Sequence, residues 1–268
     1  MPVYWYALSQ TNSISTTNAI QVFLILHLLV YPASNGYNSY MDRDTGSIGG
    51  IKKPMAPTKQ LFHVSMLLDI ISVLWSGYLS IYFALGILAY IISSRAYSYR
   101  GIRLKKYPLT GYLTVIFFQG AVTFFLVVHG ASTDHTMQVS MPGMVAASLL
   151  IGGFYPLTQI YQHQQDAADG VTTLSMKLGL NGTFVFTALI YLLAVATLAL
   201  QLCLALQIAG FFIIQIFFLP ILVYFFWWWQ QVYKNSVAAN FENTMRMNLL
   251  ASFCSNAAFI MLFIIEKF

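Results

Sequence analysis

Charged residues are scarce in this sequence. They make up 8% of its 268 residues, 13 basic and 8 acidic, whereas a typical soluble domain carries about 25%. Cysteine is rarer still, since Cys203 and Cys254 are the only two and both lie in apolar runs. We interpret them as small buried hydrophobic residues. This composition excludes a soluble enzyme, a nucleic-acid-binding domain and a secreted disulfide scaffold.

Long apolar runs recur along the whole chain, of which 58% is hydrophobic. At 1.5 Å per residue, a helix of about 20 residues crosses a hydrocarbon core roughly 30 Å thick. One run, from Leu61 to Ser93, is too long for a single crossing, so we divide it near Ser76, Gly77 and Ser80. The predicted fold is an all-α, polytopic membrane helix bundle, a single domain over residues 1–268. Its eight predicted transmembrane helices cover about 18–37, 61–77, 80–95, 109–128, 143–161, 182–204, 208–229 and 247–265.

The first eleven residues are rich in aromatic side chains but too few to cross a membrane. No basic segment precedes them, so we do not predict a cleaved signal peptide. Two interpretations stay open: an interfacial segment, or the remainder of a first transmembrane helix that the chain lacks.

Basic residues are distributed asymmetrically about these eight crossings. The loops at 38–60, 96–108, 162–181 and 230–246 share one side, which holds twelve of the thirteen basic residues and leaves Lys267 on the other. Cytoplasmic loops are enriched in Lys and Arg, so we predict that this side is cytoplasmic. The net charge of +5 then reflects orientation rather than a nucleic-acid partner.

Two pairs of oxygen-bearing side chains lie at the predicted cytoplasmic ends of helices. Asn38 and Asp42 stand four residues apart, and Gln162 and Asp166 repeat this spacing. We call them the two acidic pairs, because each contains one aspartate. If each preceding helix continues by one turn, the members of a pair share a helix face. A single pair could merely solvate a helix end, but two on one side favour an oxygen-rich site for Mg²⁺.

A basic segment follows on the same side, with five basic residues between Arg95 and Lys106. Membrane orientation alone could explain it. Beside two acidic pairs, however, Arg and Lys also suit a diphosphate, because they neutralise charge on its oxygens. A lipid diphosphate would place its head here and its tail in an apolar cavity between the helices.

These residues resemble the UbiA superfamily of intramembrane prenyltransferases, whose members carry Asn-Asp-x-x-Asp-x-x-x-Asp and later Asp-x-x-x-Asp. Asn38 and Asp42 match the first and third residues of the first motif, and Tyr99-x-x-x-Arg103 lies in the basic loop. The resemblance continues to the end of the second motif in the order Asp166, Gly170, Thr173, Leu174, Leu178, Gly179.

The resemblance implies a bundle, usually of nine helices, around a central cavity. Two acidic motifs hold Mg²⁺ and an isoprenyl diphosphate, which ionises to an allylic cation that an acceptor captures. The resemblance assigns catalysis to Asp42 and Asp166, and metal binding to Asn38, Asp42, Asp44, Gln162 and Asp166. It also assigns binding of the diphosphate to Arg103 and Lys105, helped by Tyr99, Lys53 or Lys106.

The sequence departs from the family pattern in both motifs. Ser39 and Gly46 stand where the family usually has Asp, and Gln162 replaces the leading Asp of the second motif, near an additional carboxylate at Asp169. We therefore keep three alternatives: a Mg²⁺-dependent transferase acting on an aromatic or other lipophilic acceptor, a UbiA-type terpene cyclase, and a non-catalytic lipid-binding relative. Each is a multi-pass protein of a bacterial inner membrane with its site on the cytoplasmic side, and none requires a protein partner.

One carboxylate, Asp69, lies within a predicted span. An ionisable side chain inside a membrane is costly and is usually functional. We predict either that it faces the cavity as a proton acceptor or that it hydrogen-bonds to a neighbouring helix.

Overall fold

The computed structural model of the chain describes residues 1–43 and 46–268. Within these residues it contains nine helices, and short helical turns occupy Leu104–Lys106 and Ser236–Ala238. The helices are α1 Pro2–Ser9, α2 Thr16–Asp42, α3 Lys59–Leu79, α4 Ile81–Ser98, α5 Pro108–Ala131, α6 Met141–Ala168, α7 Leu174–Leu204, α8 Ile208–Lys234 and α9 Phe241–Lys267.

Helices α2 to α9 are each long and apolar enough to cross a membrane. This confirms the eight predicted spans. Each of them lies within one helix or extends beyond it by a single residue. The division of the longest run is also confirmed, since only the extended residue Ser80 (φ −165°, ψ 143°) separates α3 from α4. Its hydroxyl accepts a hydrogen bond from the Tyr82 N–H and so caps α4.

Helix α2 carries the first acidic pair. A wide π-helical stretch at Ile25–Val30 precedes Pro32, whose ring removes one backbone hydrogen bond and crowds the preceding turn. The helix then continues to Asp42 and ends at Arg43, which adopts a left-handed conformation (φ 55°). Asn38 and Asp42 are therefore both helical, as their spacing predicts.

Helices α6 and α7 carry the second acidic motif. α6 tightens into a 3₁₀ turn at Ile160–Gln162 and resumes as an α-helix to Ala168. The Thr173 hydroxyl caps α7 by accepting the Met176 N–H. α7 breaks at Gly179 (φ 69°, ψ 175°), a conformation that only glycine adopts without strain.

Helix α1 lies inside the bundle, packed between α5 and α9. The ring of Tyr6, which has no exposed surface, stacks on Phe259 at 4.9 Å and contacts Phe124 at 5.0 Å. The segment is therefore part of the core of the bundle.

The loops gather at two ends of the bundle. We call the end formed by residues 46–58, 99–107, 169–173 and 235–240 the charged end. Lys267 lies at the opposite end, where its Nζ donates to the Thr11 carbonyl at 2.7 Å. The separation of this lysine from the other basic residues is therefore as predicted.

Asp69 does not line the central cavity. It pairs instead with the Arg95 guanidinium, whose Nε donates to Asp69 Oδ2 at 3.0 Å. The guanidinium carbon of Arg95 also lies 4.2 Å above the Tyr37 ring. Of the two interpretations of Asp69, the structure supports the helix-to-helix bond: the cluster joins α2, α3 and α4.

We expect Asp69→Asn to destabilise the protein by about 3 kcal/mol, because it leaves the Arg95 cation, whose side chain is only 15% exposed, without its counter-charge. Replacing both partners, in Asp69→Leu/Arg95→Met, should recover most of that loss. Thermal unfolding in detergent measures both effects. The exposed pair Lys52–Glu242 provides the control, since its removal should leave the melting temperature unchanged. A double variant less stable than Asp69→Asn would contradict this account.

Candidate active site

A central cavity of about 830 Å³ runs from the charged end into the bundle. At the charged end its wall includes Asp42, Lys105 and Asp166, and further in it combines aromatic residues, such as Tyr90 and Phe118, with serine, asparagine and glutamine side chains. The volume lies within the range of about 300–1,000 Å³ typical of small-molecule sites. The cavity thus combines a charged mouth with an uncharged interior that is partly aromatic and partly polar.

The first acidic pair lies on the cavity wall, as predicted from its helical spacing. The Ser98 hydroxyl donates to Asn38 Oδ1 at 2.6 Å, which fixes the amide. The Asp42 carboxylate forms an ion pair with Lys105 Nζ. Arg103 Nη2 lies 3.9 Å from the same carboxylate, so α2 meets the basic loop at this point.

The second pair, on α6, lines the same cavity. Gln162 and Asp166 both line the cavity, and Gln162 Nε2 donates to the Ser47 carbonyl at 3.3 Å. One turn earlier, the buried Oε1 of Gln159 has no hydrogen-bond partner among the described residues. The structure therefore brings the two predicted pairs together around one space. The fifth predicted ligand, Asp44, lies outside the described residues.

Arg103 links two loops at the cavity mouth. It is 8% exposed, its Nη1 donates to the Asp169 carbonyl at 3.0 Å, and its Nη2 binds the Asp169 carboxylate. Arg100 lies 3.5 Å from that carboxylate. The additional carboxylate that the sequence left without a role thus holds the basic loop against the second motif.

The remaining predicted diphosphate residues lie away from the cavity wall. Tyr99 is half-exposed, and Lys53 and Lys106 are exposed. Lys106 Nζ lies 4.9 Å above the Tyr107 ring. Of the five residues predicted for this role, Lys105 lines the cavity and Arg103 lies beside it.

The sequence analysis missed a polar face on α4. Ser94, Tyr97 and Ser98 all line the cavity, and the Tyr97 hydroxyl is hydrogen-bonded to that of Tyr155 on α6. Their spacing of i, i+3 and i+4 is the signal that could have identified this face. It was overlooked because serine and tyrosine carry no charge at these positions.

Residues 46–52 cross the cavity mouth, and Ile48, Gly49 and Ile51 contribute to its wall. The Gly50 N–H contacts Met245 Sδ at 3.2 Å, and Lys52 pairs with Glu242. Together with the bond to Gln162, these contacts join the segment to α6 and α9. The segment therefore covers part of the space between the two acidic pairs.

The donor set at the mouth fits Mg²⁺. Two carboxylates and several amide oxygens are hard ligands, which Mg²⁺ prefers. Within residues 1–43 and 46–268, no three His, Cys, Asp or Glu side chains form a closed metal cluster. An incomplete protein shell suits Mg²⁺, because this ion usually keeps several waters and binds substrate phosphates.

Comparison with known proteins agrees with this architecture. The model of the UbiA prenyltransferase family matches residues 1–250, while no curated protein matches the sequence. A UbiA homologue from Aeropyrum pernix K1 is 17% identical, with a TM-score of 0.71, over 97% of this chain and 95% of its own. A UbiA homologue from Archaeoglobus fulgidus, solved with DMAPP and Mg²⁺, is 15% identical, with a TM-score of 0.68, over 98% and 94%. At such identities these structures establish the fold alone.

Proposed function

Because the chain belongs to the UbiA prenyltransferase family, we propose that this integral membrane protein transfers an isoprenyl group from its diphosphate to an aromatic or other lipophilic acceptor, with Mg²⁺ as cofactor. The observation that carries the proposal is the meeting of both acidic pairs at the mouth of one cavity whose inner wall holds several aromatic rings. We place this mouth on the cytoplasmic side of a bacterial inner membrane, because the basic residues gather there.

In this proposal the metal is held by Asn38, Asp42, Gln162 and Asp166, with Asp44 as a further ligand. When bound, Mg²⁺ neutralises charge on the diphosphate oxygens. Ser98 keeps the Asn38 amide oriented through its hydrogen bond. Asp42 and Asp166 are the essential members, because they supply the two carboxylates that the described residues contribute to the cavity wall.

The protein's own cations complete the diphosphate site. Lys105 lines the cavity and can exchange its ion pair with Asp42 for the diphosphate. Arg103 is held by Asp169 and acts beside Lys105 as a positioning residue. A charged, preorganised site of this kind stabilises the leaving group as its charge develops.

The aromatic residues of the inner cavity serve the second half of the reaction. An allylic cation must be kept from water, and aromatic faces attract it. Tyr31, Tyr90 and Phe118 line this part of the cavity. The acceptor would meet the cation here, away from the charged mouth.

Lys105→Met tests the diphosphate site. We expect it to raise the KM for the isoprenyl diphosphate by about tenfold or more, because a charge-assisted contact contributes about 1.5–3 kcal/mol. Lys106→Met, next in sequence but outside the cavity, should change KM less than twofold. Steady-state release of diphosphate measures both. Equal effects of the two substitutions would contradict the assignment of Lys105.

A terpene cyclase remains the second candidate, because Ser39 and Gly46 replace two family carboxylates. Products formed from geranyl, farnesyl and geranylgeranyl diphosphate, with and without added acceptors, separate the two activities. We expect prenylated acceptor and no product without an acceptor. A cyclic hydrocarbon formed without an acceptor would show that the protein is a cyclase and not a transferase. Failure to release diphosphate under any condition would favour a non-catalytic relative.

A further inference from the structure

A second cavity, of about 520 Å³, lies between α6, α7, α8 and α9. Two residues of its wall, Leu192 of α7 and Phe226 of α8, are exposed on the outside of the bundle. They lie on membrane-spanning helices, so this cavity faces the hydrocarbon part of the bilayer. We call it the lateral crevice.

The wall of the lateral crevice favours an uncharged occupant. Among the described residues that line it there is no Asp, Glu, Lys, Arg or His. Apolar side chains, such as Leu150, Phe218 and Phe259, form most of its surface. A charged molecule could not be compensated here, because an unpaired charge in such surroundings is very costly.

Five polar side chains interrupt this apolar wall: Ser252 and Ser255 on α9, and three whose polar atoms lack a partner. Thr187 and Tyr191 stand four residues apart on α7, and Gln215 lies on α8. Thr187 Oγ1, Tyr191 Oη and Gln215 Nε2 are buried and have no hydrogen-bond partner among residues 1–43 and 46–268. Unmade hydrogen bonds are costly in a membrane interior, and all three groups can donate one.

The lateral crevice also adjoins the central cavity. Pro2, Val3 and Ile151 contribute to the walls of both. A molecule bound in the crevice would therefore lie beside the inner part of the central cavity, where the proposed transfer takes place. It would reach this position from the lipid side without passing the charged mouth.

We propose that the lateral crevice binds an uncharged, membrane-dissolved molecule that carries oxygen acceptors, and that this molecule is the acceptor substrate. Thr187, Tyr191 and Gln215 donate hydrogen bonds to its hydroxyl or carbonyl oxygens, while the apolar wall holds its ring or chain. The identification as acceptor rests on the proposed function, but the binding site itself does not.

Equilibrium binding of tritiated 2-methyl-1,4-naphthoquinone to the purified protein in phosphatidylcholine nanodiscs tests the site. This probe is uncharged and carries two carbonyl oxygens. We expect saturable binding that Thr187→Val and Tyr191→Phe each weaken about fivefold, the equivalent of one hydrogen bond. Ala251→Phe, which fills the crevice, should abolish it. Neither polar substitution removes an internal hydrogen bond, so both variants should fold.

Two substitutions outside the crevice provide matched controls. Tyr233 is exposed on α8, and the Thr197 hydroxyl on α7 donates to the Leu193 carbonyl of its own helix at 2.7 Å. Tyr233→Phe and Thr197→Val should therefore bind the probe as the unaltered protein does. Wild-type binding by Ala251→Phe, or no saturable binding by the unaltered protein, would overturn the site.

Two further measurements identify the occupant of the crevice and distinguish this proposal from the proposed function. In native mass spectrometry, the probe should bind without displacing phosphatidylcholine from the protein. A phospholipid that stays bound when the probe is added, but is absent from Ala251→Phe, would overturn the assignment as acceptor. Asp42→Asn should bind the probe normally while losing diphosphate release. If the unaltered protein binds the probe but releases no diphosphate, the proposed function alone is wrong. If it releases diphosphate but does not bind the probe, the proposed binding site in the crevice alone is wrong.

Discussion

Asp42→Asn and Asp166→Asn should each reduce Mg²⁺-dependent diphosphate release by about 100-fold or more. Each removes a carboxylate from the cavity wall, and losing a metal ligand or a preorganised charge typically costs a factor of this size. Asparagine keeps the shape of the side chain, so the variants should fold. Initial rates at saturating isoprenyl diphosphate, measured over a range of Mg²⁺ concentrations, give the comparison.

Asp134→Asn is the matched control for these variants. Asp134 is exposed in the loop between α5 and α6, at the end of the bundle opposite the cavity mouth. Its replacement changes the net charge by the same amount but should leave release unaltered. Full activity in both Asp42→Asn and Asp166→Asn would show that the acidic pairs are not the site.

Gly120→Ala should prevent stable folding or lower stability by about 3 kcal/mol. A Cβ at this position would lie 2.3 Å from Ser148 Cα and 2.6 Å from Ser148 N, so the backbones of α5 and α6 would have to separate. Small residues permit such close approach between membrane helices, and forced overpacking costs about 1–3 kcal/mol or more. Thermal unfolding in detergent and the yield of monodisperse protein report the loss.

Gly77→Ala is its matched control on α3. A Cβ there meets nothing within 4 Å, so the substitution should stabilise the helix by about 0.5–1 kcal/mol through its better helix propensity. If Gly77→Ala and Gly120→Ala melted at the same temperature, the close contact of α5 with α6 would be contradicted.

The sequence alone predicts the membrane spans well, because length and hydropathy decide whether a helix can cross a bilayer. The four-residue spacing in each acidic pair also predicts correctly that its members share a wall. The single-residue break at Ser80 could be located because small residues mark it. These features depend on local sequence and need no knowledge of how the helices pack.

Packing between distant helices accounts for what the sequence could not predict. Nothing local pairs Asp69 with Arg95, or Asp169 with Arg103, since each pair joins different helices or loops. For the same reason the adjacent residues Lys105 and Lys106 could not be distinguished. The polar face of Tyr97 and Ser98 on α4 carries no charge, so the charge pattern of the sequence does not reveal it.

The position of a bound cation decides whether the two acidic pairs form one metal site. Crystals grown with Mn²⁺ and an unreactive thiolodiphosphate analogue of farnesyl diphosphate would locate the metal by anomalous scattering. We expect Mn²⁺ between Asp42 and Asp166, in contact with the analogue's diphosphate, and the farnesyl chain directed towards Tyr90 and Phe118. Mn²⁺ and diphosphate bound at any other place in the bundle would contradict this expectation.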